Sequence, residues 1–324
     1  MAGHPTFTHI HSSSRYSRSG ASLEAALDGW MANSSLITLT EVTGLPSRFM
    51  ALREKGWDSF HATNGARTDD AGICWRKSAW RGQQTWVRKL TGRFRMGGTN
   101  ANFLSGCWSS TVLLKHVRSG HTLLVSVTHF PSGVAGHGGQ RWKQADRFWR
   151  DRKASYQETM STWSGHIHDL VRRKKPDAVL IVADWNLDLK DQWFRDYLNQ
   201  HWGDLGMRCA WKHFPTTGGS MGGNKIIDGS YYSGMRTDGA VMLPRSASSD
   251  HRPYKEVYDL VADAGSGTAA QSGPVKFYDP ATGHTKKGVA WWGFGDYAYD
   301  EFYEKVKQTD EGVVVTFDFK DPPY

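Results

Sequence analysis

Val179, Leu180, Ile181, Val182 and Ala183 form an unbroken apolar run that ends abruptly in Asp184, Trp185 and Asn186. A run of this length without alternation reads as a strand covered on both faces. The polar residues at its end then fall at the edge of a sheet, where a pocket can form. Asp184 and Asn186 are two apart, so an extended backbone would point both to one side. Such a pair can hold a phosphate, a metal-bound water or both.

The rest of the chain falls into short elements around this run. Residues 6–11 read as a first strand, followed by a Ser/Arg loop. Ser22 is the expected N-cap of a helix whose apolar stripe is Leu23, Leu27, Trp30 and Met31. Residues 36–42 read as a strand running into Glu41, and a second helix is expected from Pro46 to Gly56. Further strands are expected over 57–62, 71–75, 85–90, 111–117 and 122–130, with a Gly-rich loop over 96–106. Residues 140–173 have a helical pattern with a break near Gly165, and 190–202 read as another helix. A Gly-rich loop over 218–223 precedes Lys225-Ile226-Ile227-Asp228, and 254–261 is a strand. Many strands after an opening strand–helix–strand unit suggest packed sheets flanked by helices rather than a simple wound sheet.

Composition sets the limits. With 324 residues, 39% hydrophobic and 22% charged, the chain can bury a sizeable core. Fifteen tryptophans leave two readings open, large-residue packing and binding surface. Cys74, Cys107 and Cys209 match neither a disulfide framework nor a zinc motif, so buried free thiols are expected. No apolar stretch approaches a membrane span, and the first thirty residues lack a signal-peptide core. A soluble chain is expected, with the cytoplasm slightly favoured.

Charge is unevenly placed within the net +8. From Ala71 to Ala145 there is no acid, while Arg76, Lys77, Arg81, Arg88, Lys89, Arg93, Arg95, Lys115, Arg118, Arg141 and Lys143 all carry positive charge. One-signed charge attracts polyanions. Residues 264–273 read as a linker. Beyond it, 274–324 form an aromatic extension, with nine acids against six lysines from Ala264 onward and a strand expected over 313–319. Such a tail is a poor polyanion binder, and two readings stay open for it: covering the core domain or docking on a protein partner.

Four clusters sit at strand ends: Thr40-Glu41, Thr128-His129-Phe130, Ala183-Asp184-Trp185-Asn186 and Ser248-Ser249-Asp250-His251. Each is weak alone. Together with Asp228, their order and neighbours resemble the endonuclease/exonuclease/phosphatase superfamily, which includes pancreatic-type deoxyribonuclease, abasic-site endonucleases, sphingomyelinases and inositol polyphosphate phosphatases. The resemblance covers residues 9 to 251 and implies an α/β (α+β) four-layer sandwich, two packed mixed β-sheets flanked by helices, over residues 1–263. It implies a divalent metal, Mg²⁺ first, held by Glu41 with Asp250 beside it. It further implies that Asp184 and Asn186 orient the attacking water and contact the phosphate. His251 would act on that water or a phosphate oxygen, with Asp228 fixing its orientation and His129 donating to a phosphate oxygen. One departure stands out: His9 matches a position where the family has asparagine, with His11 two residues on. Imidazole there would either bring in Mn²⁺ or another transition metal, or serve as a hydrogen-bonding substitute for the amide.

The resemblance does not choose a substrate. Within 76–95 the positive residues are interleaved with Trp80, Trp86 and Phe94, a combination that can grip a phosphate backbone and stack on bases. With no base-reading module in view, a metal-dependent nuclease cutting DNA with little sequence preference is the expectation. The first alternative is a phospholipid or inositol-phosphate hydrolase of the same fold, for which Phe103-Leu104 is only a small apolar tip. The second is a non-catalytic structural or interaction subunit, supported by His9 and the acidic extension.

Overall fold

The computed structural model describes residues 5–13, 20–41, 55–61, 71–92, 94–96, 102–104, 106–132, 134, 147–210, 220, 225–245, 249–260, 275–279, 284–288, 305–309 and 312–316. The chain divides into two compact units, Met1–Thr268 and Ala269–Tyr324. The expected linker 264–273 lies outside the described residues, as do the helix turns expected after Pro46.

The larger unit runs β1 (Thr6–Ser13), α1 (Gly20–Asn33), β2 (Leu36–Thr40), β3 (Trp57–His61), β4 (Ala71–Arg76), β5 (Trp80–Lys89), β6 (Phe94–Met96), β7 (Asn102–Leu104), β8 (Trp108–His116) and β9 (Thr122–His129). It continues with α2 (Arg147–Lys174), β10 (Ala178–Asp184), α3 (Gln192–Trp202), β11 (Arg208–Cys209), β12 (Asp228–Ser233), β13 (Met235–Met242) and β14 (Tyr254–Leu260). One six-stranded sheet has the order β13-β14-β1-β2-β4-β3 and the other β11-β12-β10-β9-β8-β5. Both are mixed, because β1–β2 and β9–β10 are parallel within otherwise antiparallel pairings. β6 and β7 form a separate two-stranded ribbon.

Side-chain alternation builds the layers. Phe7, Leu36, Ile73 and Trp75 of the first sheet pack with Val112, Leu114, Leu123, Val125, Val127, Leu180 and Val182 of the second, filling the space between sheets. On the outside of the first sheet, Ile10, Ile37 and Leu39 meet Leu27, Trp30 and Met31 of α1. On the outside of the second, Leu124, Val179, Ile181 and Ala183 meet Tyr156, Met160, Trp163 and Ile167 of α2 and Phe194, Leu198 and Trp202 of α3. These are the two packed sheets with helices outside that the resemblance implied. Every residue of β10 is buried, as its unbroken apolar run required. Trp30, Trp57, Trp75, Trp80, Trp163, Trp185 and Trp202 are all buried, which settles packing as their role. The three cysteines are buried free thiols.

Several local expectations change. Helix α1 begins at Gly20, two residues before Ser22, so Ser22 is not its N-cap. Helix α2 runs through Gly165 without a break. A side chain there would meet nothing within 4 Å, so the exposed glycine costs only its modest propensity penalty. The hairpin β12–β13 was not expected, because Asp228-Gly229-Ser230 at its start reads as turn rather than strand. Among the described residues, no helix is long and apolar enough to cross a membrane.

The smaller unit contains β15 (Val275–Asp279), β16 (His284–Gly288), β17 (Lys305–Thr309) and β18 (Gly312–Thr316) in the order β16-β15-β18-β17. The strand expected over 313–319 appears as β18. The aromatic cluster between Trp291 and Tyr303 lies outside the described residues.

Candidate active site

Three adjacent strands of the second sheet each bring one residue to the same edge. His129, the last residue of β9, lies opposite Asp184, the last of β10, and Asp184 lies opposite Asp228, the first of β12. Paired residues share a face of the sheet. Counting back by two through Val127 and Val182 places that face between the sheets. Gly229 allows the arrangement: a Cβ there would lie 2.4 Å from Leu189 Cδ1, and its carbonyl accepts from Trp185 Nε1 at 3.1 Å. The strand carrying Asp228 is thereby clamped to the turn after Asp184.

His251 completes the group. Its backbone N–H donates to Ser249 Oγ at 3.0 Å, and the Ser249 hydroxyl donates to the Ser13 carbonyl at the end of β1. So held, His251 Nδ1 lies 2.8 Å from Asp228 Oδ2 and 3.8 Å from Asp184 Oδ2. His129 Nε2 is 3.6 Å from Asp184 Oδ2. Asp184, Asp228 and His251 are all buried, and one ligand atom from each lies within 4.8 Å of the others.

Electrostatics distinguish the two acids. Burial and the neighbouring Asp228 charge push the Asp184 pKa up to about 7, against the pull of His129 and His251. Asp228 is also penalised by burial, yet His251 and His11 outweigh it and hold the carboxyl well below the usual range. Burial opposes charge on His251, but Asp228, Asp184 and Glu41 overcome it and raise its pKa to about 9. The site thus pairs a firmly ionised carboxylate with an imidazolium, next to a carboxyl poised near neutrality.

Glu41 follows β2 in a left-handed conformation, φ 58°, and its charge acts on both Asp184 and His251. A strained non-glycine backbone at a strand end is a mark of functional positions. Asp250 is half-buried and its Oδ1 is buried with no hydrogen-bond partner. An oxygen-rich donor set, an orphaned carboxylate oxygen and an acid whose charge is opposed by its neighbour together fit a divalent cation.

Asn186 corrects the expectation of an extended pair. The strand ends at Asp184, and Asn186 is left-handed with φ 52°. Its N–H donates to Asp184 Oδ1 at 3.0 Å and its Nδ2 to the Phe130 carbonyl at 2.8 Å. It therefore locks Asp184 and ties together the ends of β9 and β10. Asparagine tolerates this conformation better than most residues.

His9 is not brought to the group. Its Nδ1 bonds Glu256 Oε2 at 3.0 Å and its Nε2 bonds Thr38 Oγ1 at 2.9 Å, so neither ring nitrogen is free for a metal. Ser13, four residues on and on the same face, reaches the site beside His11, donating to Asp184 Oδ2 at 3.3 Å. Sequence reasoning missed it, although a strand one residue pair longer would have carried the period-two count to it.

The basic segment splits. Arg88 and Lys89 pair with Ser109 and Trp108 at the site end of the sheet, two strands and about 10 Å from the His129 row. Lys89 lies over the Trp108 ring at 5.9 Å. Arg81 pairs with Lys115, which pairs with Thr122 at the start of β9, roughly 23 Å from its end. Arg76 and Lys77 are at that far end too. The Arg76 guanidinium donates to the Met31 and Ser34 carbonyls at the end of α1 and covers Trp57, so its work is structural. Arg93 and Arg141 lie outside the described residues, and only the backbone of Arg95 is described.

Neither a family model nor a curated protein sequence matches the chain. Solved structures do match. An endonuclease/exonuclease/phosphatase family protein from Bacteroides thetaiotaomicron superposes with a TM-score of 0.58 at 13% identity, over 80% of this chain and 96% of that one. ANGEL2, a 2′,3′-cyclic phosphatase bound to adenosine-2′,3′-vanadate, matches with a TM-score of 0.57 at 11% identity, over 79% and 96%. A mannosyl-6-phosphatase from Bacteroides thetaiotaomicron matches with 0.54 at 12%, over 78% and 98%. The chain has the endonuclease/exonuclease/phosphatase fold.

Proposed function

We propose that the chain is a divalent-metal-dependent phosphodiesterase that cleaves nucleic acid, DNA foremost, with little sequence preference. The observation that carries this reading is the buried Asp228–His251 pair at 2.8 Å, set against Asp184 at one sheet edge. A phosphodiester is anionic, so its attack needs charge neutralisation, an oriented water and support for the departing oxygen. A divalent cation would supply the first of these. Glu41 and Asp250 would hold it, and with His9 engaged elsewhere the donors would be carboxylate oxygens, which favours Mg²⁺. Asp184, kept in place by Ser13 and Asn186, orients the water. His251, charged at neutral pH and held by Asp228, donates to a phosphate oxygen, and His129 donates from the other side.

Nucleic acid is favoured over a lipid or sugar phosphate by Arg88, Lys89 and Trp108, which lie on the strands beside His129. A plasmid-nicking assay with Mg²⁺, Mn²⁺ and EDTA tests the proposal. Metal-dependent nicking that EDTA abolishes is the expected result. Liposome phospholipid hydrolysis without nicking would move the substrate to lipid, and no turnover of either under any metal would end the enzymatic reading.

A further inference from the structure

A second buried polar cluster lies outside the reacting group, deeper between the sheets. Glu256 of β14 is fully buried, and three groups converge on its Oε2: Tyr258 Oη at 2.7 Å, Ser230 Oγ at 2.9 Å and His9 Nδ1 at 3.0 Å. His9 Nε2 and His11 Nδ1 both lie 2.9 Å from the single hydroxyl of Thr38. His11 Nε2 faces Asp228 Oδ1 at 3.6 Å, and among the described residues neither atom has a hydrogen-bond partner. The chain of contacts from Glu256 thus ends on the acid that holds His251, its last step at ion-pair distance.

We infer that Glu256, His9, Thr38 and His11 form a buried relay that positions Asp228, with Thr38 fixing His11 as the Nε2–H tautomer. This rests on the Asp228–His251 pair being the reactive centre proposed above. Proton counting sets the direction. His11 Nε2 faces the Asp228 carboxylate, so the proton of a neutral His11 belongs on that nitrogen, and its Nδ1 accepts from the Thr38 hydroxyl. With its one proton given to His11, Thr38 Oγ1 accepts from His9 Nε2–H. His11 is left with its proton on Nε2, aimed at Asp228 Oδ1. The reverse order would set a bare His11 lone pair against the Asp228 carboxylate, or require His11 to be an imidazolium. Burial lowers the His11 pKa, which opposes the latter. With Oδ1 fixed by His11, Oδ2 is left for His251, and the acid cannot rotate away.

His9, His11, Thr38 and Glu256 are thus positioning residues and touch no substrate. The test is long-range ¹⁵N–¹H correlation on the full chain labelled at histidine, for wild type, Thr38→Val and Thr38→Ser. The relay predicts His11 as the Nε2–H tautomer, with a proton on His9 Nε2, in wild type. In Thr38→Val, the His11 tautomer mixes and kcat for phosphodiester hydrolysis falls about tenfold at unchanged KM, the scale of losing a supporting contact. Thr38→Ser, which returns the hydroxyl, restores both. His11 found as Nδ1–H in wild type, or His11 signals indifferent to Thr38→Val, would overturn the relay. If Thr38→Val does not fold, the wild-type tautomer decides alone. A wild-type chain without hydrolysis would instead remove the proposed function, and the spectra would still judge the relay.

Discussion

The helix-facing side of β10 carries Val179, Ile181 and Ala183, and its sheet-facing side carries Leu180, Val182 and Asp184. The same contrast holds for the layers around it. The helix layer is mostly apolar, with Phe130, Trp163, Trp185 and Trp202 in ring contact and Ser126 bonded to the Trp163 ring. The inter-sheet layer is graded. Reading each inner row toward the site gives Phe7–His9–His11–Ser13, Leu36–Thr38–Thr40, Leu123–Val125–Val127–His129 and Leu180–Val182–Asp184. Apolar side chains at one end of this layer anchor the sheets to each other. At the other end their places are taken by groups whose hydrogen-bond partners come largely from a neighbouring strand or the facing sheet. Stability and chemistry therefore occupy different parts of one sandwich, and substitutions can separate them.

The largest effect is expected at the polar end. Asp228→Asn should lower hydrolysis by about a thousandfold, within the usual range for losing acid–base assistance. Asp184→Asn should do the same and leave the melting temperature equal or higher. The reason is that the folded chain raises the Asp184 pKa from 3.8 to about 7, so stability is lost as the pH rises through that window and the full penalty is present above it. A fall in melting temperature for Asp184→Asn would contradict this account of the layer.

Trp163→Ala probes the helix layer. The side chain is fully buried, its Nε1 donates to Ser126 Oγ at 2.8 Å, and its removal should cost about 3–5 kcal/mol in chemical denaturation. Hydrolysis per folded molecule should stay at the wild-type value. Smaller effects should sort the basic residues by place. Arg88→Ala and Lys89→Ala should each reduce the salt dependence of oligonucleotide binding by about one counterion, and Arg81→Ala should not. Equal effects at both ends would show that the whole edge strand β5 binds.

The smallest effect is a pH dependence away from the site. Burial and the charge of His168 depress the His201 pKa to about 4 from 6.5, so the folded chain keeps this ring neutral where the unfolded chain binds a proton. Stability is then lost as the pH falls from about 6.5 to about 4, and is present above that window. His201→Gln should flatten the thermal melts in that range.

Much of this was legible in the chain. The unbroken 179–183 run marked β10 as central because nothing polar interrupts it, and His129, Asp184, Asp228 and His251 lie together. What was not legible depended on contacts across the sheets. His9 reads as a ligand until Glu256, some 247 residues away, is found on its Nδ1. Asn186 reads as strand until its left-handed turn is seen, and a strand pattern does not say where pairing stops. Ser13 is an ordinary serine in a Ser-rich stretch, identified only by its place opposite Asp184. The basic residues of 76–95 are close in sequence, but a long strand separates its ends in space.

The most direct test of the central claim is the metal-dependent phosphodiester hydrolysis rate of purified His251→Ala, measured beside wild type at equal folded fraction. Loss of the rate by about two to four orders of magnitude, with the fold intact, is the predicted result. Near-full hydrolysis by His251→Ala would contradict the assignment of the Asp228–His251 pair as the reactive centre.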